Sequence, residues 1–136
     1  AETVLPLTGL HLLLAEDNEL NSEIATTLLE EQGAKITAVE NGRLALEAIQ
    51  NAAPRTYDAI LMDVMMPEMN GLEATRCIRA FEGKGPGEGT PIIAMTANVF
   101  ADDVKACLGA GMNSHVGKPL DMKVLIGEIL KYTDAR

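Results

Sequence analysis

Two rhythms of apolar residues alternate along the chain. Short unbroken runs occur as HLLLA at 11–15, AKITAV at 34–39, DAILM at 58–62, PIIAM at 91–95 and SHVG at 114–117. Bounded by turn residues, they predict strands buried on both faces. The stretches between them carry a helical period. Leu20, Ile24 and Leu28 recur at every fourth position ahead of Gly33, a helix stop. Asn41-Gly42 marks a turn, after which Ala45, Ala48 and Ile49 share a face. Ala74, Cys77, Ile78 and Phe81 form a third stripe, and Val104, Cys107 and Leu108 a fourth, closed by Gly109 and Gly111. Asp121 is placed to cap a fifth helix with Met122, Leu125, Ile129 and Tyr132 on its apolar face.

Strict strand–helix alternation predicts an α/β fold: a mostly parallel sheet with helices on both faces. Right-handed crossovers favour the doubly wound strand order 2-1-3-4-5, with ligands outside the carboxyl ends of the strands. A length of 136 residues suits one domain. Residues 1–9 read as a linker remnant and 10–136 as the domain. Ala at position 1 suggests a processed or excised piece of a longer chain. The stretch EGKGPGEG at 82–89 predicts a mobile loop. Its glycines follow a helix and precede a strand, the reverse of a phosphate cradle.

Composition removes several function classes. Hydrophobic residues make up 47% and charged residues 23%, which excludes wholesale disorder. Eleven basic against 20 acidic residues give a net charge of −9, which repels nucleic-acid phosphates and anionic lipid. No apolar stretch approaches the roughly 20 residues that span a bilayer, and no secretory signal opens the chain. Cys77 and Cys107 read as apolar packing residues of a reducing compartment. Together with His11 and His115 they lack zinc-site spacing. Met62, Met65, Met66 and Met69 read as core or loop filler.

The chemistry lies where the apolar runs end. The first run leads into Glu16-Asp17, the third into Asp63, the fourth into Thr96 and the fifth into Lys118-Pro119. In the order 2-1-3-4-5 the first and third strands are neighbours, so Asp17 and Asp63 face each other across the switch point. Two like charges about 4 Å apart cost roughly 4 kcal/mol at an effective dielectric near 20. Protonation relieves this, or a hard cation does. Oxygen donors without His or Cys point to Mg²⁺. Lys118 adds a point charge for an anion and Thr96 a hydroxyl. A carboxylate nucleophile, a divalent cation, an ammonium and a hydroxyl make a phosphoryl-transfer constellation. Asp63, alone at the end of a central strand, is the better nucleophile; the Glu16-Asp17 pair is better placed for metal. Each residue alone has an ordinary reading as a helix-start acid, a turn residue, a cap or a surface charge. Their joint placement at four strand ends favours the site.

The blocks LLLAEDNELN at 12–21, DAILMDVMMPEMNGLEA at 58–74, IIAMTA at 92–97 and SHVGKPL at 114–120 resemble, in order, those of the response-regulator receiver domain of two-component signalling. The resemblance covers about residues 10–133. It implies a flavodoxin-like five-stranded sheet and an Asp63 that accepts a phosphoryl group from a phosphohistidine. It implies Mg²⁺ held by Glu16, Asp17, Asp63 and the backbone carbonyl of Met65. Thr96 matches the switch hydroxyl and Lys118 the phosphate-binding lysine. His115 stands where the family often has Tyr or Phe, as a second switch residue; a half-buried strand residue without a switching role is its plain alternative. A cis Lys118-Pro119 bond and a switch region around 98–132 are further expectations.

AEDNELN and MDVMMPEMNGLEATR resemble receivers of hybrid sensor histidine kinases, which pass phosphate to a histidine phosphotransfer partner. The partner expected is thus a kinase core or a histidine phosphotransfer domain, with no direct nucleic-acid or membrane contact. The location expected is cytoplasmic, on a parent chain that could itself be membrane-anchored. Alternatives are a stand-alone regulator, a domain that only docks, or an aspartate-nucleophile phosphatase. The phosphatase chemistry wants a second Asp where Met65 stands. The domain itself would assist its own phosphotransfer and dephosphorylation rather than turn over a substrate.

Overall fold

The computed structural model describes residues 5–53, 55–66, 68–85, 87–96, 101–118 and 120–133. Strands and helices alternate as β1 (His11–Ala15), α1 (Glu19–Glu31), β2 (Lys35–Val39), α2 (Gly42–Asn51), β3 (Ala59–Asp63), α3 (Gly71–Glu82), β4 (Ile92–Thr96), α4 (Ala101–Ala110), β5 (Ser114–Gly117) and α5 (Met122–Thr133). The five strands form one parallel sheet in the order β2-β1-β3-β4-β5. This is the expected doubly wound topology. β3 and β4 each extend one residue past their apolar runs, so Asp63 and Thr96 are the last residues of fully buried strands. Burial on both faces fails at β2, where Lys35 and Ala38 are exposed. β2 is an edge strand with a neighbour on one side only.

Asparagine side chains start the first three helices. Asn18, Asn41 and Asn70 accept from the backbone N–H of Asn21, Leu44 and Glu73 at 2.9, 2.8 and 2.9 Å, satisfying donors that a helix start leaves open. Each cap follows the carboxyl end of a strand, so the chain turns at the edge where ligands bind. Asp121 caps α5 as expected, accepting from Lys123 N–H at 2.9 Å. At the other end of α3, Gly83 closes the helix at φ 66, a left-handed conformation that suits glycine.

The sheet separates two apolar layers. One joins Leu12, Leu14, Leu61 and Met95 to α1 and α5; the other joins Leu13, Ile60, Met62 and Ala94 to α2, α3 and α4. The face of α1 that meets the sheet is Ala25 and Leu29. The expected Leu20–Ile24–Leu28 stripe points outward instead, with Leu20 64% and Ile24 50% exposed. Both sets recur at four residues, so the period alone does not choose between them. Phe81 and Leu108 are also exposed at the ends of their stripes.

Residues 5–9 make a turn that packs on the domain. Leu7 is fully buried and donates its N–H to the Gln32 carbonyl at 2.9 Å. The glycine-rich segment is fastened at its base: the Glu82 carboxylate accepts from Thr90 N–H at 3.2 Å and from its hydroxyl at 2.5 Å. Beside it the buried Arg79 donates to the carbonyls of Thr90 and Gly111 and to Asn113 Oδ1. Cys77 and Cys107 remain thiols.

Leu29→Ala should cost about 2–5 kcal/mol in urea unfolding, as core truncations do. Leu20→Ala should stay within about 0.5 kcal/mol, which distinguishes the two faces of α1.

Candidate functional site

The carboxyl end of β1 continues pairing with β2 for one residue, Glu16 N–H donating to Val39 O at 3.1 Å. This holds the Glu16 side chain inside, 5% exposed, while Asp17 is exposed at the rim. Asp63, at the end of the adjoining β3, is also 5% exposed. One oxygen each from Glu16, Asp17 and Asp63 lies within 4.8 Å of the others. Lys118 enters from β5, its backbone N–H donating to Thr96 O at 2.9 Å. Its ammonium lies 3.0 Å from Glu16 Oε2 and 3.0 Å from Asp63 Oδ2.

The remaining oxygens are also met. Glu16 Oε1 accepts from Asn18 N–H at 3.1 Å, and Asp63 Oδ1 from Met65 N–H at 3.2 Å. Each buried carboxylate thus has one oxygen on a backbone amide and the other on Lys118. Among the described residues no buried side-chain polar atom lacks a partner, as a stable polar cluster requires.

Burial pushes the Glu16 carboxyl above its ordinary range, with a further push from the Asp63 charge, against hydrogen bonds from Lys118 and the Asn18 amide. Burial alone would lower the Lys118 ammonium. Its hydrogen bonds to Asp63 and Glu16, and their charges, outweigh this and hold it above its usual value. One ammonium against three carboxylates leaves a surplus of negative charge. An all-oxygen donor set with that surplus fits a hard divalent cation such as Mg²⁺.

The β3–α3 loop is held tightly against β3 and β4. Val64 N–H donates to Met95 O at 3.2 Å, and Gly71 N–H to Val64 O at 3.0 Å. A Cβ on Gly71 would stand 2.3 Å from the Asp63 carbonyl oxygen, so glycine alone fits there. Met65 sends its side chain into solvent, 76% exposed, while its amide turns back to Asp63.

The structure therefore brings Glu16, Asp17, Asp63 and Lys118 together and sets Met65 beside them. Thr96 is buried at the end of β4, one position beyond Met95, the partner of Asp63 across the ladder. His115 is half-buried opposite Ala94 on β5. No hydrogen bond or ion pair between described residues joins it to Asp63. Pro119, and with it the expected cis bond, lies outside the described residues, as does the part of the expected switch region at 98–100.

Asn18 and Gly71 were not singled out from the sequence. The Asn before the first helical stripe carried a capping signal for Asn18; nothing in the sequence announced the space at Gly71. A cavity of about 270 Å³ opens beside the site, lined by Leu14, Ile24, Leu28, Met95, Lys118 and Leu120 among others.

Residues 12–130 match the family model of the response regulator receiver domain. The chain belongs to that family. The receiver is 41% identical to a probable histidine kinase 1 of Oryza sativa subsp. indica, across 82% of this chain and 14% of the relative. It is 39% identical to the sensor histidine kinase GacS of Pseudomonas protegens, across 97% of this chain and 14% of that protein. The chain thus spans about a seventh of each of these relatives. Among solved structures, the receiver domain of a sensor histidine kinase from Pseudomonas aeruginosa superposes with a TM-score of 0.80 at 36% identity, covering 93% of this chain and 99% of that one. That domain holds a magnesium ion in its active-site cleft. Among the described residues no helix is long and apolar enough to cross a membrane.

Lys118→Met should lower stability at neutral pH by about 1–3 kcal/mol, because two buried carboxylates lose their counter-charge. A lysine raised in the folded state stabilises below its ordinary value and loses that contribution as pH climbs through the folded value. The gap between wild type and variant in urea unfolding should therefore narrow as pH rises past 10.5.

Proposed function

We propose that Asp63 is the phosphoacceptor of a two-component phosphorelay and takes its phosphoryl group from a phosphohistidine. What carries this reading is the Lys118 ammonium, 3.0 Å from an oxygen of both Asp63 and Glu16, with Asp17 at the rim of the same cluster. A carboxylate oxygen of Asp63 attacks phosphorus in line with the departing ring. The P–O bond forms as the P–N bond breaks, and the bonding pair returns to the imidazole nitrogen. Glu16, Asp17, Asp63 and the Met65 carbonyl would hold Mg²⁺, which would neutralise charge on the phosphoryl oxygens.

The chain's own groups do the rest. Lys118 exchanges its contact with the Asp63 carboxylate for a phosphoryl oxygen. Thr96 offers its hydroxyl to another, and His115 on the neighbouring strand follows the movement of Thr96. A phosphatase role does not suit the site, because the residue two positions after Asp63 is Met65, which can neither donate nor accept a proton. Water positioned beside the acyl phosphate accounts for slow dephosphorylation.

The partner we assign is a histidine-bearing helical surface, a kinase core or a phosphotransfer domain. Leu20 and Ile24, exposed on α1 a short way from Asp17, together with the adjoining cavity, suit the apolar face of such a helix. The domain, residues 10–136 with the Leu7 turn packed on it, belongs in this reading to a cytoplasmic part of a hybrid sensor histidine kinase. Likeness to long histidine kinases supports this assignment.

Asp63→Asn should abolish acid-labile, Mg²⁺-dependent labelling by acetyl phosphate; labelling that persists would refute the assignment. Ile24→Glu should leave acetyl-phosphate labelling intact while slowing transfer from a phosphorylated histidine partner at least about tenfold. Equal slowing with both donors would remove α1 as the docking face.

A further inference from the structure

The β3–α3 loop, described over residues 64–66 and 68–70, carries the main-chain atoms next to Asp63. Its near end is bonded to β4 and to the Asp63 carboxylate, through Val64 and Met65. Its far end is seated on α2. Gly42, the first residue of α2, donates its N–H to the Met69 carbonyl at 3.0 Å. The approach leaves no room for a side chain: a Cβ on Gly42 would stand 2.4 Å from the Met69 carbonyl oxygen, 2.8 Å from Ala74 Cβ and 3.0 Å from the Asn70 carbonyl oxygen. Alongside, Asn41 Nδ2 reaches Glu68 Oε2 at 3.5 Å. Glu68 has φ 63, a left-handed conformation that a residue with a side chain keeps only when its surroundings hold it.

Met69 and Asn70 lead directly into Gly71, whose N–H is bonded to Val64 O at 3.0 Å, next to Met65. Anything larger at Gly42 must drive the Met69 carbonyl back by at least about half an ångström, because two such atoms cannot share the space. The carbonyl cannot simply slide toward α3, since Gly71 is already packed against the Asp63 carbonyl. The displacement therefore reaches the Val64–Met65 main chain through the Gly71–Val64 hydrogen bond.

We propose that Gly42 is a positioning residue for the phosphoacceptor site: by admitting the Met69 carbonyl against the start of α2, it sets where the Met65 main chain lies relative to Asp63. This inference rests on the reading of Asp63 as a phosphoacceptor served by a divalent cation.

The test is a Mg²⁺ titration of the metal-free domain, followed by amide spectra, for wild type and Gly42→Ala. In Gly42→Ala the amide signals of Asp63 and Met65 shift before any metal is added, and Mg²⁺ binds about tenfold more weakly, as when the support of a ligand is disturbed. Gly109→Ala, where a Cβ meets open space, leaves both at wild type. Adding Ala74→Gly to Gly42→Ala relieves the side-chain clash but not the carbonyl clash, so it does not restore affinity.

Restoration by Ala74→Gly would overturn the proposal, because the lesion would then run through helix packing. Unchanged Mg²⁺ affinity in a folded Gly42→Ala would overturn it too. If Gly42→Ala does not fold in buffer, the same titration is made in sucrose, which favours the folded state. A severalfold weakening supports the proposal and wild-type affinity overturns it. Failure of the wild type itself to bind Mg²⁺ would remove the site reading, and this inference with it, which separates the two failures.

Discussion

Crowded negative charge at one edge of the sheet is the constraint around which this domain is arranged. Glu16 and Asp63 are nearly buried and close to each other and to Asp17, a placement that costs several kcal/mol unless a positive charge answers it. Lys118 supplies that charge from β5, three strands away from β1 in the sheet. A single ammonium meeting two carboxylates makes the site stable enough to fold and still short of neutral. The residual negative charge suits a divalent cation. Burial raises the Glu16 carboxyl, while its two carboxylate neighbours raise the Lys118 ammonium against burial.

The parallel sheet makes this arrangement possible. Every strand delivers its last residue to the same edge, and the Asn caps turn the chain there into the next helix. Charged groups far apart in sequence then meet without long side chains having to search for one another. The backbone amides of Asn18 and Met65 come from the same turns, so the loops that begin the helices also satisfy the carboxylates.

Much of this was legible in the chain. Apolar runs and helical stripes told the strands from the helices, and the topology followed from strict alternation. The acidic pair, Asp63, Thr96 and Lys118 were readable because each ends an apolar run, and an ending is a one-dimensional property. The orientation of α1 was not, because Ala25–Leu29 and Leu20–Ile24–Leu28 share one period, and the sheet chooses between them in three dimensions. The burial of Arg79 depends on the carbonyls that Thr90 and Gly111 bring to it, and a carbonyl has no signature in sequence. Leu7 lay outside the alternating pattern, so its burial could only be seen once Gln32 closed over it.

The division of the apolar interior by the sheet has an evolutionary consequence. α1 and α5 pack in one layer, while α2, α3 and α4, which support the loop after β3, pack in the other. Substitutions that do not touch tend to combine additively. Exposed residues of α1 such as Leu20 can therefore drift with little disturbance to the loop after β3, which packs in the other layer. Insulation of this kind lets one face of the domain change while the loop on the other keeps its shape.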